Sequence, residues 1–166
     1  PKEFDDWLAG PHGEPDVAGL MGHYPLDAIE AGKVENTAQP DKPGEVGLTP
    51  TVVPGRIGNA LRFDGENSLT LRGVADFDAH HEFTIALWLK VDAINERTVV
   101  LHRSRAWTDA ASRGYELILE DGRPSFALIH FWPGNAARIR ALEPLVAGRW
   151  THLAIASGGL GVAGAM

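Results

Sequence analysis

Two short stretches of the chain concentrate side chains suited to binding. The first runs His102, Arg103, Ser104, Arg105, Ala106, Trp107, Thr108, Asp109 and closes on Arg113; the second holds His130, Trp132 and Asn135. An indole offers a flat apolar face to the C–H groups of a sugar ring, while guanidinium, imidazole, carboxylate and amide groups satisfy its hydroxyls. Both stretches interrupt runs of alternating apolar residues and therefore read as loops, where binding residues collect on a rigid scaffold. If the loops meet at one end of the molecule, His102, Arg103, Arg105, Trp107, Asp109, Arg113, His130, Trp132 and Asn135 form a saccharide-type site. The same residues also admit a self-satisfied cluster, with Arg103 or Arg113 paired to Asp109 and Trp107 folded beneath them.

Catalytic chemistry finds little support. Glu116 and Glu120 lie on one face of a predicted strand, but four residues of extended chain separate them by about 13 Å, whereas a retaining glycosidase needs its carboxyl groups about 5 Å apart. Ser104, Ser112 and Ser125 lack a Gly-x-Ser-x-Gly elbow, and no glycine-rich phosphate loop leads to Lys-Ser or Lys-Thr. With no cysteine, thiolate nucleophiles, disulfides and cysteine-bound metals are excluded. His23 has Tyr24 beside it and His80 has His81; neighbours on a strand point to opposite faces, so neither pair suits one metal ion. His152 shares a strand face with Trp150 and reads as a packing residue beside its tryptophan. The chain is expected to be non-enzymatic, with no metal and no cofactor.

The formal charge of −7, from 15 Lys and Arg against 22 Asp and Glu, opposes binding to a phosphate backbone. No apolar run is long enough to span a membrane. A chain of 166 residues with 44% hydrophobic side chains suits one domain, and 19 glycines with 11 prolines favour many turns over long helices. It begins Pro1-Lys2-Glu3 with no signal-peptide pattern, and is expected to be a fragment.

The elements that must position the two loops follow from a period of two. Phe83, Ile85, Leu87, Leu89 and Val91 alternate with Thr84, Ala86, Trp88 and Lys90, which predicts a central strand with one apolar and one mixed face. Further strands are expected at Ala18–Leu26, Ala60–Phe63, Ser68–Arg72, Thr98–His102, Gly114–Glu120, Ser125–Phe131, Ala137–Leu142 and Trp150–Ser157. Asp121-Gly122 separates two alternating runs as a hairpin turn. Residues 27–58, with four prolines, read as a long connection; residues 1–16 read as a linker or entry arm and 158–166 as a glycine-rich tail. Little sustained helical periodicity remains, so the expected fold is all-β, an antiparallel two-sheet sandwich over residues 17–157.

Four blocks carry a resemblance: Gly22-His-Tyr-Pro-Leu-Asp27; Pro54-Gly-Arg-Ile-Gly-Asn-Ala-Leu-Arg-Phe-Asp-Gly65; Phe83-Thr-Ile-Ala-Leu-Trp-Leu-Lys90; and Gly148-Arg-Trp-Thr-His-Leu-Ala-Ile155. In this order the chain resembles the laminin-G-like jelly rolls of the concanavalin-A-like lectin and glucanase superfamily. The stretches 101–115 and 129–135 look like the version found in large exported bacterial proteins that carry a planctomycete-type cytochrome-c module. The resemblance implies a non-catalytic binding or interaction module, carbohydrate-binding in the sharper form, in an extracytoplasmic parent protein. Its alternatives are a spacer packed on neighbouring domains and a degenerate glycoside hydrolase. It admits calcium in the complete domain, with Asp27, Asn36 and Asp64 as oxygen donors. The family continues into further strands where this sequence ends in a glycine-rich tail, so the sandwich is expected to be truncated at its C-terminus.

Overall fold

The computed structural model describes residues 17–78, 80–103, 114–131 and 134–159. Every regular element among the described residues is a strand, eleven in all, and every pairing is antiparallel. The chain divides into two units between Ala75 and Asp76.

In the first unit, strands β1 (Lys33–Val34), β2 (Gly44–Gly47), β3 (Thr51–Pro54), β4 (Asn59–Arg62) and β5 (Ser68–Leu71) form two small sheets, β1-β2-β5 and the hairpin β3-β4. Three of these strands fall inside the long connection expected over residues 27–58, because they are too short to show a period. The strand expected at Ala18–Leu26 is absent. That segment is held from the side by Asn36, which is fully buried. Asn36 Oδ1 accepts the backbone N–H groups of His23, Ala38 and Gln39 at 3.0, 3.2 and 3.2 Å, and its Nδ2 donates to Tyr24 OH at 3.1 Å. With Thr37 N–H donating to His23 O at 2.9 Å, a loop takes the bonds that a ladder would have used. Leu26 adopts φ 65, which ends any extended run.

The second unit contains β6 (Glu82–Leu89), β7 (Arg97–Arg103), β8 (Gly114–Glu120), β9 (Arg123–Phe131), β10 (Asn135–Arg140) and β11 (Thr151–Gly158). They form a four-stranded sheet of order β10-β9-β8-β7 and the pair β11-β6. The alternation read at Phe83–Val91 is realised in β6, where odd positions are partly buried and even positions exposed. Expected to be central, β6 has β11 as its one strand partner among the described residues. Period-two patterning reports which face is covered, not how many strands lie alongside.

Aromatic rings join the two sheets of this unit. Phe77 stacks on Phe83 at 3.8 Å and on Tyr115 at 4.6 Å between centroids, and Phe83 meets Phe126 at 6.1 Å. Leu117, Leu119 and Ile155 are buried with them. Ile118, Ala127 and Ile129, on the opposite face of β8 and β9, are buried as well, so those two strands are covered on both sides. The β8–β9 hairpin turns at Asp121 and Gly122, both left-handed at φ 49 and 75, as the dipeptide demands.

Candidate functional site

The antiparallel order fixes where the two polar loops begin and end. β7 leaves the sheet at Arg103 and β8 returns at Gly114; β9 leaves at Phe131 and β10 returns at Asn135. The register pairs Arg103 with Tyr115, Tyr115 with Leu128, Gly114 with Ile129 and Asn135 with Phe131. All four loop stems therefore stand at one end of the four-stranded sheet, opposite the Asp121-Gly122 turn. Of the sequence-derived site residues, His102, Arg103, His130 and Asn135 are placed at that end and all four are exposed. Arg105, Trp107, Asp109, Arg113 and Trp132 lie outside the described residues.

Strand alternation divides these residues between the two faces of the sheet. Arg103 and His130 lie on the face of Tyr115 and Leu128, whereas His102, opposite Glu116, lies on the other. On the Tyr115 face, Arg103 Nη2 is 2.9 Å from Asp76 Oδ1, an exposed ion pair over the aromatic stack. Burial pushes the Tyr115 phenol above its ordinary pKa, with Arg103 opposing the shift and Asp76 adding to it. On this face the end has an aromatic base with a guanidinium and an imidazole beside it, groups suited to hydroxyl-rich ligands, while Asn135, opposite Phe131, lies with His102 on the other face.

The one carboxylate pair that invited an enzymatic reading is otherwise occupied. Glu116 and Glu120 lean together on Arg138, whose Nη1 donates to Glu120 Oε1 at 2.8 Å and whose Nη2 donates to Glu116 Oε1 at 3.1 Å. Arg97 adds a contact to Glu116 at 3.7 Å and Arg140 one to Glu120 at 3.6 Å. The strand rise alone overstated how far apart the two carboxyl groups stay, because both side chains bend toward one partner.

The three oxygen donors considered for calcium each serve local structure. Asn36 is the buried hub described above; Asp27 Oδ1 accepts the Asn59 backbone N–H at 2.6 Å. Asp64 Oδ1 accepts from Glu66 and Asn67 at 3.0 and 3.3 Å, and the Glu66 N–H chiefly holds its carboxyl below the usual range. Among the described residues, no three acidic or imidazole side chains gather as a metal site.

A second feature escaped the sequence reading. Register places Trp88 directly opposite His152, with ring centroids 5.1 Å apart, and the Lys90 ammonium stands 5.2 Å over the Trp150 ring. His152, expected to pack, is exposed, because its strand turns Leu153 and Ile155 inward instead. The mixed face of β6 signalled this surface. What the sequence did not show was that β11 pairs with it.

A laminin-G-like family model, described as the concanavalin A-like lectin/glucanases superfamily, matches residues 63–163. The crystal structure of residues 221–444 of an S-layer domain-containing protein from Clostridium thermocellum is similar, with a TM-score of 0.61 at 19% identity. That likeness covers 82% of this chain and 70% of the other, and at such identity it speaks for the fold alone. No curated protein matches the chain.

Proposed function

Since the chain belongs to the concanavalin A-like lectin/glucanases superfamily, we propose that it is a non-catalytic binding module of an extracytoplasmic protein, with a glycan as its ligand. The observation that carries this reading is the convergence of the β7–β8 and β9–β10 stems at one end of a sheet, with Arg103, His130 and Asn135 exposed there. Loops of this composition on a stiff all-β base favour recognition over packing. The engagement of Glu116 and Glu120 by Arg138 supports the absence of hydrolysis. The net charge of −7 disfavours nucleic acid, and no helix among the described residues is long and apolar enough to cross a membrane.

Pull-down on bacterial cell-wall polysaccharides tests the proposal. The wild-type chain is expected to be retained, and Arg103→Ala with His130→Ala, or Trp107→Ala with Trp132→Ala, is expected to be released. Equal retention of wild type and variants, or none of either, contradicts it.

One observation favours a second reading, a spacer packed on neighbouring domains. Ile139 on the edge strand β10 is 63% exposed, and Leu142 and Val146 after it are 89% and 51% exposed. A spacer of this kind buries those three side chains in the full-length parent, which hydrogen exchange at β10 in the parent and in this chain alone measures.

A further inference from the structure

The first unit holds a cleft of about 450 Å³, and one asparagine sets its shape. Asn36, fully buried, takes the backbone N–H of His23 on one side and those of Ala38 and Gln39 on the other, at 3.0, 3.2 and 3.2 Å. Pro25 and Pro40, which line the cleft, therefore stand on two segments tied to a single side chain, and Pro43 and Leu26 extend the apolar lining. Proline has no backbone N–H, so these walls offer aliphatic surface and acceptors but few donors.

The rim of the cleft is charged. Glu30 and Lys33 face each other across a two-residue turn, with Glu30 N–H donating to Lys33 O at 2.8 Å and Lys33 N–H to Glu30 O at 2.9 Å. Ala31 and Gly32 between them are left-handed, at φ 48 and 75, as such a turn requires. Glu35 and Asp27 line the same cleft, and Asp27 is committed through Oδ1 to the Asn59 N–H. Glu30, Lys33 and Glu35 are exposed, and among the described residues their side chains have neither ion-pair nor hydrogen-bond partners. Carboxylates thus outnumber ammonium groups around the cleft, in a chain whose net charge is already −7.

We infer that this cleft binds an alkylammonium group carried on an aliphatic stem. A stem of about four or five methylenes lies along the proline rings while its head reaches out to a carboxylate, as long cationic side chains do on protein surfaces. An ammonium has three donors and no acceptor, which matches an acceptor-rich lining. A metal ion fits less well. Hard cations need several oxygens around one point, and among the described residues no three acidic or imidazole side chains gather in that way. An anion would meet net repulsion at the rim. A free diamine and the lysine side chain of a partner polypeptide present the same chemistry. The strand-end site carrying Arg103 and His130 lies in the second unit, so the failure of either site leaves the other standing.

Backbone amide NMR of the full isotopically labelled chain tests this, titrated separately with cadaverine, Nα-acetyl-lysine N-methylamide, the uncharged Nα-acetyl-norleucine N-methylamide, and glutarate. Both amines are expected to give saturable shifts at residues 26–35, with a Kd of about 1 mM or tighter, and the norleucine analogue and glutarate to give none. Glu30→Gln and Glu35→Gln should each weaken binding about threefold, the size of one exposed ion pair, and Lys33→Met should strengthen it by a similar factor. Added salt should weaken it as well. Thermal unfolding of these variants near the wild-type temperature shows that a change in binding is not a loss of fold. Tighter binding of the lysine analogue than of cadaverine marks a polypeptide partner and the reverse marks a free diamine; either result supports the cleft. The proposal is overturned if neither amine gives saturable shifts, if the norleucine analogue or glutarate binds as well, or if the Glu30→Gln, Glu35→Gln double variant binds at wild-type strength. Amine shifts confined to residues 102–103 and 130–131 would place binding at the strand ends and overturn it equally.

Discussion

Asp27 and Asn59, 32 positions apart, hold each other at two points: the Asn59 backbone N–H donates to Asp27 Oδ1 at 2.6 Å, and Asn59 Nδ2 donates to the Asp27 backbone carbonyl at 3.0 Å. This clamp joins the first two sequence blocks, just as β6 and β11 join the last two. Gly58, at φ 56, sits against it, and a Cβ there would run into the Asp27 carboxylate. Asp27→Ala or Asn59→Ala is expected to lower stability by roughly 1–2 kcal/mol, and Gly58→Ala by at least as much through combined clash and backbone strain. Urea unfolding measures each, and the Asp27→Ala, Asn59→Ala double variant should lose less than the sum.

The Asp121-Gly122 turn gives a sharper case. Gly122 is left-handed at φ 75, and a Cβ would lie 2.7 Å from Ile94 Cδ1. Gly122→Ala should cost about 1–3 kcal/mol, and Gly122→Ala combined with Ile94→Ala should still be destabilised, because removing the clash leaves the strain. Full rescue by the second substitution would contradict the backbone account.

The arginine between the two glutamates makes a chemical prediction. The side chains of Arg138, Glu116 and Glu120 are 26%, 18% and 29% exposed, so solvent screens the network only in part. Arg138→Met is expected to lose roughly 1–2 kcal/mol of stability without creating hydrolytic activity. Release of reducing sugar by wild type, abolished in Glu116→Gln or Glu120→Gln, would return the pair to catalysis.

Both tyrosines of the chain, Tyr24 and Tyr115, have phenols raised above the ordinary value near 10 chiefly by burial. A phenol that ionises later in the folded than in the unfolded chain contributes its full stability below pH about 10, and that contribution falls as pH rises toward the folded value. Ultraviolet titration of phenolate should therefore show the native chain ionising at higher pH than the urea-unfolded chain. Stability should decline through the same alkaline window. Coincident titration curves would contradict the burial of both rings.

Much of the second unit was legible because its strands are long enough for alternation to repeat. Phe83 to Leu89, Tyr115 to Glu120 and the Asp121-Gly122 turn each carry a local signal that burial and φ obey. In the first unit the strands are two to four residues long, and what organises Ala18–Leu26 is Asn36, whose hydrogen bonds to Met21, His23 and Tyr24, 12 to 15 positions away, no local pattern reveals. At the site, chain order and pairing explain why Arg103, His130 and Asn135 share one end, which the sequence posed only as a condition. His102, and Asn135 opposite Phe131, fell on the face away from Arg103 and His130, because one residue along a strand reverses the side chain's direction. Trp88 and His152 were each visible on a mixed face, but their pairing across 64 residues of chain depends on long-range register, which alternation does not encode.

The central claim is that ligand is recognised at the strand ends carrying Arg103, His130 and Asn135. Backbone amide NMR of the isotopically labelled chain, titrated with soluble cell-wall oligosaccharides, tests it most directly. Saturable shifts concentrated at residues 102–103, 130–131 and 134–135, with the Asp121-Gly122 turn at the far end unmoved, are the predicted result. Shifts absent from that end at saturating ligand, or spread equally to the Asp121-Gly122 turn, would contradict the account.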